Sequence, residues 1–277
     1  MTTEQSWQQR GSSFGRGAQA YDSTRPDYPK ESFRWVLGEK PRTVLDLGAG
    51  TGILTRALLA DGHHVSAVEP DDEMRELITA SAPAAAVHAG SAEKIPLADA
   101  SVDAVLVSHA YHWFDPGPAH AEMARVIRPG GTLATLWNLR DEEVPWSAEL
   151  SRILADEDTG TDPHTAAAIL LHGVLAALRG NDSDRLSGWL RDPTFGSRFG
   201  PIEIGFFAHS SPQTVESLVG LITSRSYYLN CTPERQEELK EQIRQLAATH
   251  PQLAGRAEFD LPYVTVVFKA VLASQGV

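Results

Sequence analysis

Between residues 42 and 138, short apolar runs alternate with longer amphipathic stretches. Thr43-Val44-Leu45-Asp46-Leu47, Val65-Ser66-Ala67-Val68-Glu69, Val102 to Ser108 and Thr132 to Trp137 read as buried strands, and Ala86-Val87-His88-Ala89 as a shorter, more polar one. Apolar runs without polar alternation belong to parallel strands covered on both faces. Helices fill the intervals: Ile53 to Asp61 follows the turn Gly48-Ala49-Gly50-Thr51-Gly52, and another helix begins near Asp71-Asp72. Right-handed crossovers between such units predict an α/β fold with an open, doubly wound, mostly parallel sheet.

The flanks read differently. Phe14, Ala18 and Tyr21 share one helical face, and two prolines in Arg25-Pro26-Asp27-Tyr28-Pro29 end that helix. After residue 138 the strand-helix rhythm stops. Trp146, Leu150, Ile153 and Leu154 have helical spacing, and Thr165 to Arg179 is rich in Ala and Leu before Gly180-Asn181. This stretch is expected to form a helical lid. Ile202 to Phe207 then resumes the sheet, and Val215, Leu218, Val219 and Ile222 form a helical stripe. Thr232-Pro233 starts a further helix, with Thr as N-cap and Pro in the first turn. Tyr263 to Phe268 is expected as an antiparallel edge strand closing a seven-stranded sheet. The division predicted is a polar tail over 1–13, a ligand-binding core over 14–138, a lid over 139–201 and a sheet-completing segment over 202–277.

Composition narrows the partners. The 277 residues carry 24 Lys+Arg against 36 Asp+Glu, a net charge of −12. That acidity opposes binding through clustered phosphates, so no nucleic-acid partner is expected. The one cysteine, Cys231, allows neither an internal disulfide nor a zinc site built on cysteine pairs, and no metal is expected. Residues 1–13 lack the apolar core of a leader, and no apolar run approaches the roughly 20 residues that cross a bilayer. A cytoplasmic protein without a membrane partner, monomer or homodimer, is the expectation.

The glycine turn after the first strand carries the most chemistry. At the carboxyl end of a strand in a doubly wound sheet, glycines mark the crevice where ligands bind. Glu69 ends the second strand, where a carboxylate reaches both hydroxyls of a ribose. A dinucleotide site of the G-x-G-x-x-G kind needs a third glycine at position 53, which is Ile53. Asp46, two residues before the turn, opposes a diphosphate and favours an ammonium or sulfonium. A cationic nucleoside fits this layout better than an anionic one. His63 and His64, after Gly62, read as solvated loop residues.

Asp46-Leu47-Gly48-Ala49-Gly50-Thr51-Gly52, Glu69, Gly90 to Leu97, Val102-Asp103-Ala104-Val105 and Arg128-Pro129-Gly130-Gly131, in that order, resemble the class I S-adenosylmethionine-dependent methyltransferases. Within that class the chain is similar to the small-molecule group related to ubiquinone/menaquinone and trans-aconitate methyltransferases. The resemblance implies S-adenosyl-L-methionine as cofactor. It places Gly48, Gly50 and Gly52 along the methionine moiety, Asp46 at its amino group and Glu69 on the ribose. Pro70 and Met74 would lie against the adenine, and Ser91, Ala92 and Glu93 would frame its exocyclic amine. Ser91 stands where the family often has Asp. Ser108 and His109 would lie near the methyl group, and Tyr21 and Arg25 would fold over the cofactor.

Methyl transfer from a sulfonium needs orientation and exclusion of water. A base matters only where the acceptor is protonated: a carboxylate needs none, whereas a phenol with a pKa of about 10 benefits from an imidazole. His109 and His112, in Ser108-His109-Ala110-Tyr111-His112-Trp113-Phe114-Asp115, are the candidate bases, and Tyr111, Trp113 and Phe114 could wall an apolar acceptor. Tyr227, Tyr228 and His209 are further acceptor-side candidates. The expected activity is O-methylation of a small apolar or aromatic metabolite or a carboxylate. The alternatives are a noncatalytic module that binds the same cofactor, and an NAD(P)-dependent oxidoreductase.

Overall fold

A computed structural model describes residues 22, 25–154, 173, 175, 195–224, 228 and 231–273. The expected polar tail, the helix through Phe14 and Tyr21, Tyr227, and most of the expected lid lie outside these residues.

Five strands run parallel: β1 (Thr43–Leu47), β2 (His64–Val68), β3 (Ala86–His88), β4 (Val102–Ser108) and β5 (Ile127–Arg140). With β6 (Glu203–Gln213) and β7 (Phe259–Val271) they form one seven-stranded sheet in the order β3-β2-β1-β4-β5-β7-β6. The order reverses between β1 and β4, the point at which ligands of doubly wound sheets bind, at the carboxyl ends of the strands. The antiparallel strand, β7, lies between β5 and β6 at one side of the sheet, one place in from the margin rather than at the edge where it was expected. Its run from Val264 to Val267 is almost wholly buried because β5 and β6 flank it and both faces are covered. The more polar β6, with Phe206 exposed, forms the margin.

The helices, the first of which precedes β1, include α1 (Lys30–Leu37), α2 (Ile53–Ala60), α3 (Asp72–Ser81), α4 (Pro116–Val126), α5 (Pro145–Leu154), α6 (Val215–Thr223) and α7 (Pro233–Thr249). α1 is short, and only Phe33 and Leu37 mark its buried stripe; they pack with Val44, Leu54, Leu58 and Val267 on one face of the sheet. α4 begins with Pro116-Gly117-Pro118, which reads as a turn in isolation. Asp115 caps it, and proline in a first helical turn loses no hydrogen bond. The opposite face buries Met123, Val126, Val105, Leu133, Val264 and Phe268. β5 runs on to Arg140, beyond the expected end of the core at 138.

His63 does not lie in solvent. It is 4% exposed, and its Nδ1 accepts the Arg42 N–H at 3.2 Å. Burial holds its pKa below 6.5. An unfolded chain therefore takes up this proton first, so stability declines as pH drops through 6.5 towards the folded value. Nearby Asp61, held at about 2 by Arg34 and Lys30, stays ionised throughout that range. Urea unfolding at pH 7.5 and at pH 5.5 should show a smaller loss in His63→Gln than in the wild type. Equal losses would assign the decline elsewhere.

Candidate functional site

The site grows from the carboxyl end of β1. Gly48, Gly50 and Gly52 have φ of +68°, +58° and +86°, the left-handed region in which a side chain is strained. Gly48 also leaves no room: a Cβ there would come within 2.7 Å of Ala110 Cβ. A Cβ on Gly50 would meet nothing within 4 Å, so the turn is open on that side. Gly52 caps the start of α2.

Asp46 is fully buried beneath this turn. Its Oδ2 accepts the Thr55 hydroxyl at 2.6 Å, while Oδ1 has no hydrogen-bond partner among the described residues. Burial pushes its carboxyl up to about 7, with the Glu69 charge adding to the effect and the Thr55 hydroxyl opposing it. A buried carboxylate half satisfied in this way is a poor structural element and a ready partner for a cation.

Glu69, also buried, follows β2. Its Oε2 accepts Gly50 N–H at 2.9 Å and its Oε1 accepts Asp71 N–H at 3.0 Å. Burial raises its pKa, and these two N–H groups work against the rise. The side chain thus bridges the glycine turn to the start of α3, where Asp71 caps Met74 N–H at 3.0 Å. Met74 is buried and Pro70 exposed.

The other expected residues distribute unevenly. Ser91 and Lys94 form an isolated bridge, and the Ala92 side chain belongs to the hydrophobic core. Glu93 Oε1 accepts Asp115 N–H at 3.0 Å, which ties this loop to the start of α4. Ser108 ends β4 opposite Leu136. His109, one of the two candidate bases, has φ +51°, and its Nε2 accepts the backbone N–H of Asn138 at 2.8 Å. His112 lies in the turn Tyr111–Trp113, with its ring 4.7 Å from that of Trp113 and 5.3 Å from that of Trp137. Tyr111 and Phe114, candidates to wall an acceptor, are partly buried and pack against the core. Tyr111 Oη sits 2.6 Å from His120 Nε2 with Phe195 edge-on to its ring, and burial pushes the phenol up to about 12. Arg25 is half-buried, and Tyr21 lies outside the described residues.

Sequence reasoning passed over Asn138. It is buried near the end of β5, and Thr265 donates its hydroxyl to Oδ1 at 2.6 Å. His209 Nε2 lies 3.3 Å from the same oxygen, and Nδ2 donates to the Asp27 carbonyl at 3.2 Å. Burial pulls His209 down to about 4, so it stands neutral and donates through Nε2. One signal was available: an amide interrupts the apolar run Leu136-Trp137-Asn138-Leu139. Arg56 is a second omission. It holds Thr51 O at 3.0 Å and Asp22 at 2.7 Å, fastening the chain before α1 to the glycine turn.

The chain is similar to known proteins over most of its length. Residues 45–135 match the family model described as a methyltransferase domain. An uncharacterized methyltransferase of Mycobacterium tuberculosis is 39% identical over 261 residues, 94% of this chain and 96% of the relative. A malonyl-[acyl-carrier protein] O-methyltransferase of Pseudescherichia vulneris is 36% identical over 154 residues, covering 52% of this chain and 60% of that protein. The solved structure of a putative type II methyltransferase from Anaeromyxobacter dehalogenans covers 91% of this chain, and this chain covers 99% of it. Its TM-score is 0.60 at 21% identity.

Proposed function

Because the chain belongs to the class I S-adenosylmethionine-dependent methyltransferases, we propose that it transfers a methyl group from S-adenosyl-L-methionine to an oxygen of a small-molecule acceptor. The observation that carries the cofactor reading is Asp46 Oδ1, a buried carboxylate oxygen without a partner among the described residues beside an open glycine turn. An amino group is the partner such an oxygen calls for. Two buried carboxylates, Asp46 and Glu69, oppose a pyrophosphate at the same place, which disfavours a nicotinamide dinucleotide.

When bound, S-adenosyl-L-methionine supplies a methyl group already activated on a sulfonium. The residues of this chain bind and orient. Glu69 retains lone pairs on both oxygens for ribose hydroxyls after accepting one N–H at each. Gly48, Gly50 and Gly52 let the backbone approach the methionine moiety. Pro70 and Met74 are assigned to the adenine, with Ser91, Ala92 and Glu93 around its amine and Tyr21 and Arg25 across the cofactor. Ser108 is assigned to the methyl side and His112 to the acceptor. Oxygen as the target is supported by the O-methyltransferase relative. A carboxylate acceptor needs no base; for a hydroxyl, the His112 imidazole is assigned to take the proton.

Among the described residues no helix is long and apolar enough to cross a membrane. The test is calorimetry with S-adenosyl-L-methionine at pH 8, followed by methyl-labelled cofactor with a panel of phenols, alcohols and carboxylic acids. Saturable binding and label on oxygen are expected. Absence of binding would remove the cofactor reading, and label on nitrogen or carbon, or on no acceptor, would remove the oxygen assignment.

A further inference from the structure

The end of β4 is built in an unusual way. His109 N–H donates to Leu136 O at 3.1 Å, the last rung of the β4–β5 ladder. In a regular parallel ladder, the residue that donates there also accepts, through its own carbonyl, from the N–H two residues further along the partner strand. That N–H belongs to Asn138. With φ at +51°, however, the chain turns away at His109, and the imidazole Nε2 takes the carbonyl's place at 2.8 Å. A backbone N–H can only donate, so Nε2 holds a lone pair and the neutral ring carries its proton on Nδ1. The ring also stands edge-on to Trp137, 5.4 Å between centroids.

The turn has a consequence for the crevice. Ala110 follows at once, and its Cβ occupies the space that a side chain on Gly48 would need. The left-handed turn at His109 therefore decides how the Ser108–Phe114 segment seats against the glycine turn. Left-handed backbone at a residue other than glycine persists only where surrounding contacts hold it.

We propose that His109 is a positioning residue: its imidazole replaces a backbone carbonyl at the end of the sheet and clamps the acceptor-side segment against the glycine turn. It does not take the acceptor's proton. This rests on the reading of the glycine turn as the cofactor cradle, so the test uses S-adenosylhomocysteine and does not depend on knowing the acceptor.

The ligand is titrated calorimetrically into the full-length wild type, His109→Gln and His109→Gly. Gln carries an amide oxygen at the reach of Nε2 but cannot serve as a base. Gly accepts the backbone conformation and lacks the acceptor. Binding is expected to weaken by about tenfold or more in H109G and to stay within about threefold of wild type in H109Q. Equal binding in all three, which a base would give, overturns the proposal, as does equal weakening in both variants. Should H109G fail to fold, His109→Asn, which tolerates the turn but falls short of Asn138, takes its place with the same expectation. Hydrogen exchange at the Asn138 amide gives a readout independent of the cofactor. Exchange should be at least about tenfold faster in H109G than in wild type or H109Q; equal exchange in all three overturns the clamp. If the wild type binds no S-adenosylhomocysteine, the cofactor reading fails and the amide exchange alone decides on His109.

Discussion

Asp46→Asn is expected to weaken S-adenosyl-L-methionine binding by roughly 30- to 700-fold. The empty protein should become no less stable. The two effects have one cause. Leaving a buried charge of a bound partner without its counterion costs about 2–4 kcal/mol, and each 1.4 kcal/mol is about tenfold in affinity. In the empty protein the same carboxylate is a liability, since Oδ1 has no partner among the described residues. Asn keeps the contact with Thr55 and removes the charge. The pH dependence should follow. A folded carboxyl raised to about 7 from 3.8 holds a proton that the unfolded chain has released, so the empty protein loses stability as pH rises through that interval. Cofactor affinity moves the other way: it rises with pH between about 5.5 and 7.5 as Asp46 ionises, and it should be flatter in the variant. Calorimetry across that range, with thermal melting of the empty proteins, checks both. An identical pH slope in the variant would assign the proton to another group.

Asn138→Ala should act mainly on stability, lowering it by about 2–4 kcal/mol and the melting temperature by roughly 5–12 °C. The change strips partners from the Thr265 hydroxyl, from His209 Nε2 and from the Asp27 carbonyl, and it opens a cavity between β5, β7 and the segment before α1. The backbone N–H that His109 Nε2 accepts survives the substitution. S-adenosylhomocysteine binding should therefore fall less in N138A than in H109G. Differential scanning calorimetry and titration together test this. A variant that melts like the wild type would mean that the buried network contributes little, and a larger binding loss than in H109G would place the clamp in the side chain of Asn138.

Much of this protein is legible in its sequence because the signals are local. A buried parallel strand must be apolar on both faces, so β1, β2, β4 and β5 show as uninterrupted runs. A turn with three left-handed residues calls for glycine, so the ligand crevice is marked at Gly48, Gly50 and Gly52 wherever the rest of the chain lies. Asp46 and Glu69 stand in the sequence at strand ends, where such a crevice needs charge. Helices α1 and α4 are harder to read, since a stripe of two large residues and a start rich in Pro and Gly carry little periodicity.

Only the tertiary structure decided what those side chains meet. Depletion of partners around Asp46 is a property of three elements together, β1, α2 and the residue after β2. The two histidines beside Tyr111 look equivalent along the chain, yet one has its Nε2 committed to Asn138, a residue 29 positions away, and the other stands between two tryptophans. Asn138 itself gathers Asp27, His209 and Thr265 from across the chain. Sheet order likewise came from packing, because either of the last two strands, β6 and β7, could stand at the margin until both faces of β7 were covered. Period and turn chemistry act over a few residues and so are written in the chain. Desolvation and hydrogen-bond satisfaction depend on whichever groups folding brings within about 3 Å, and no run of neighbouring residues records them.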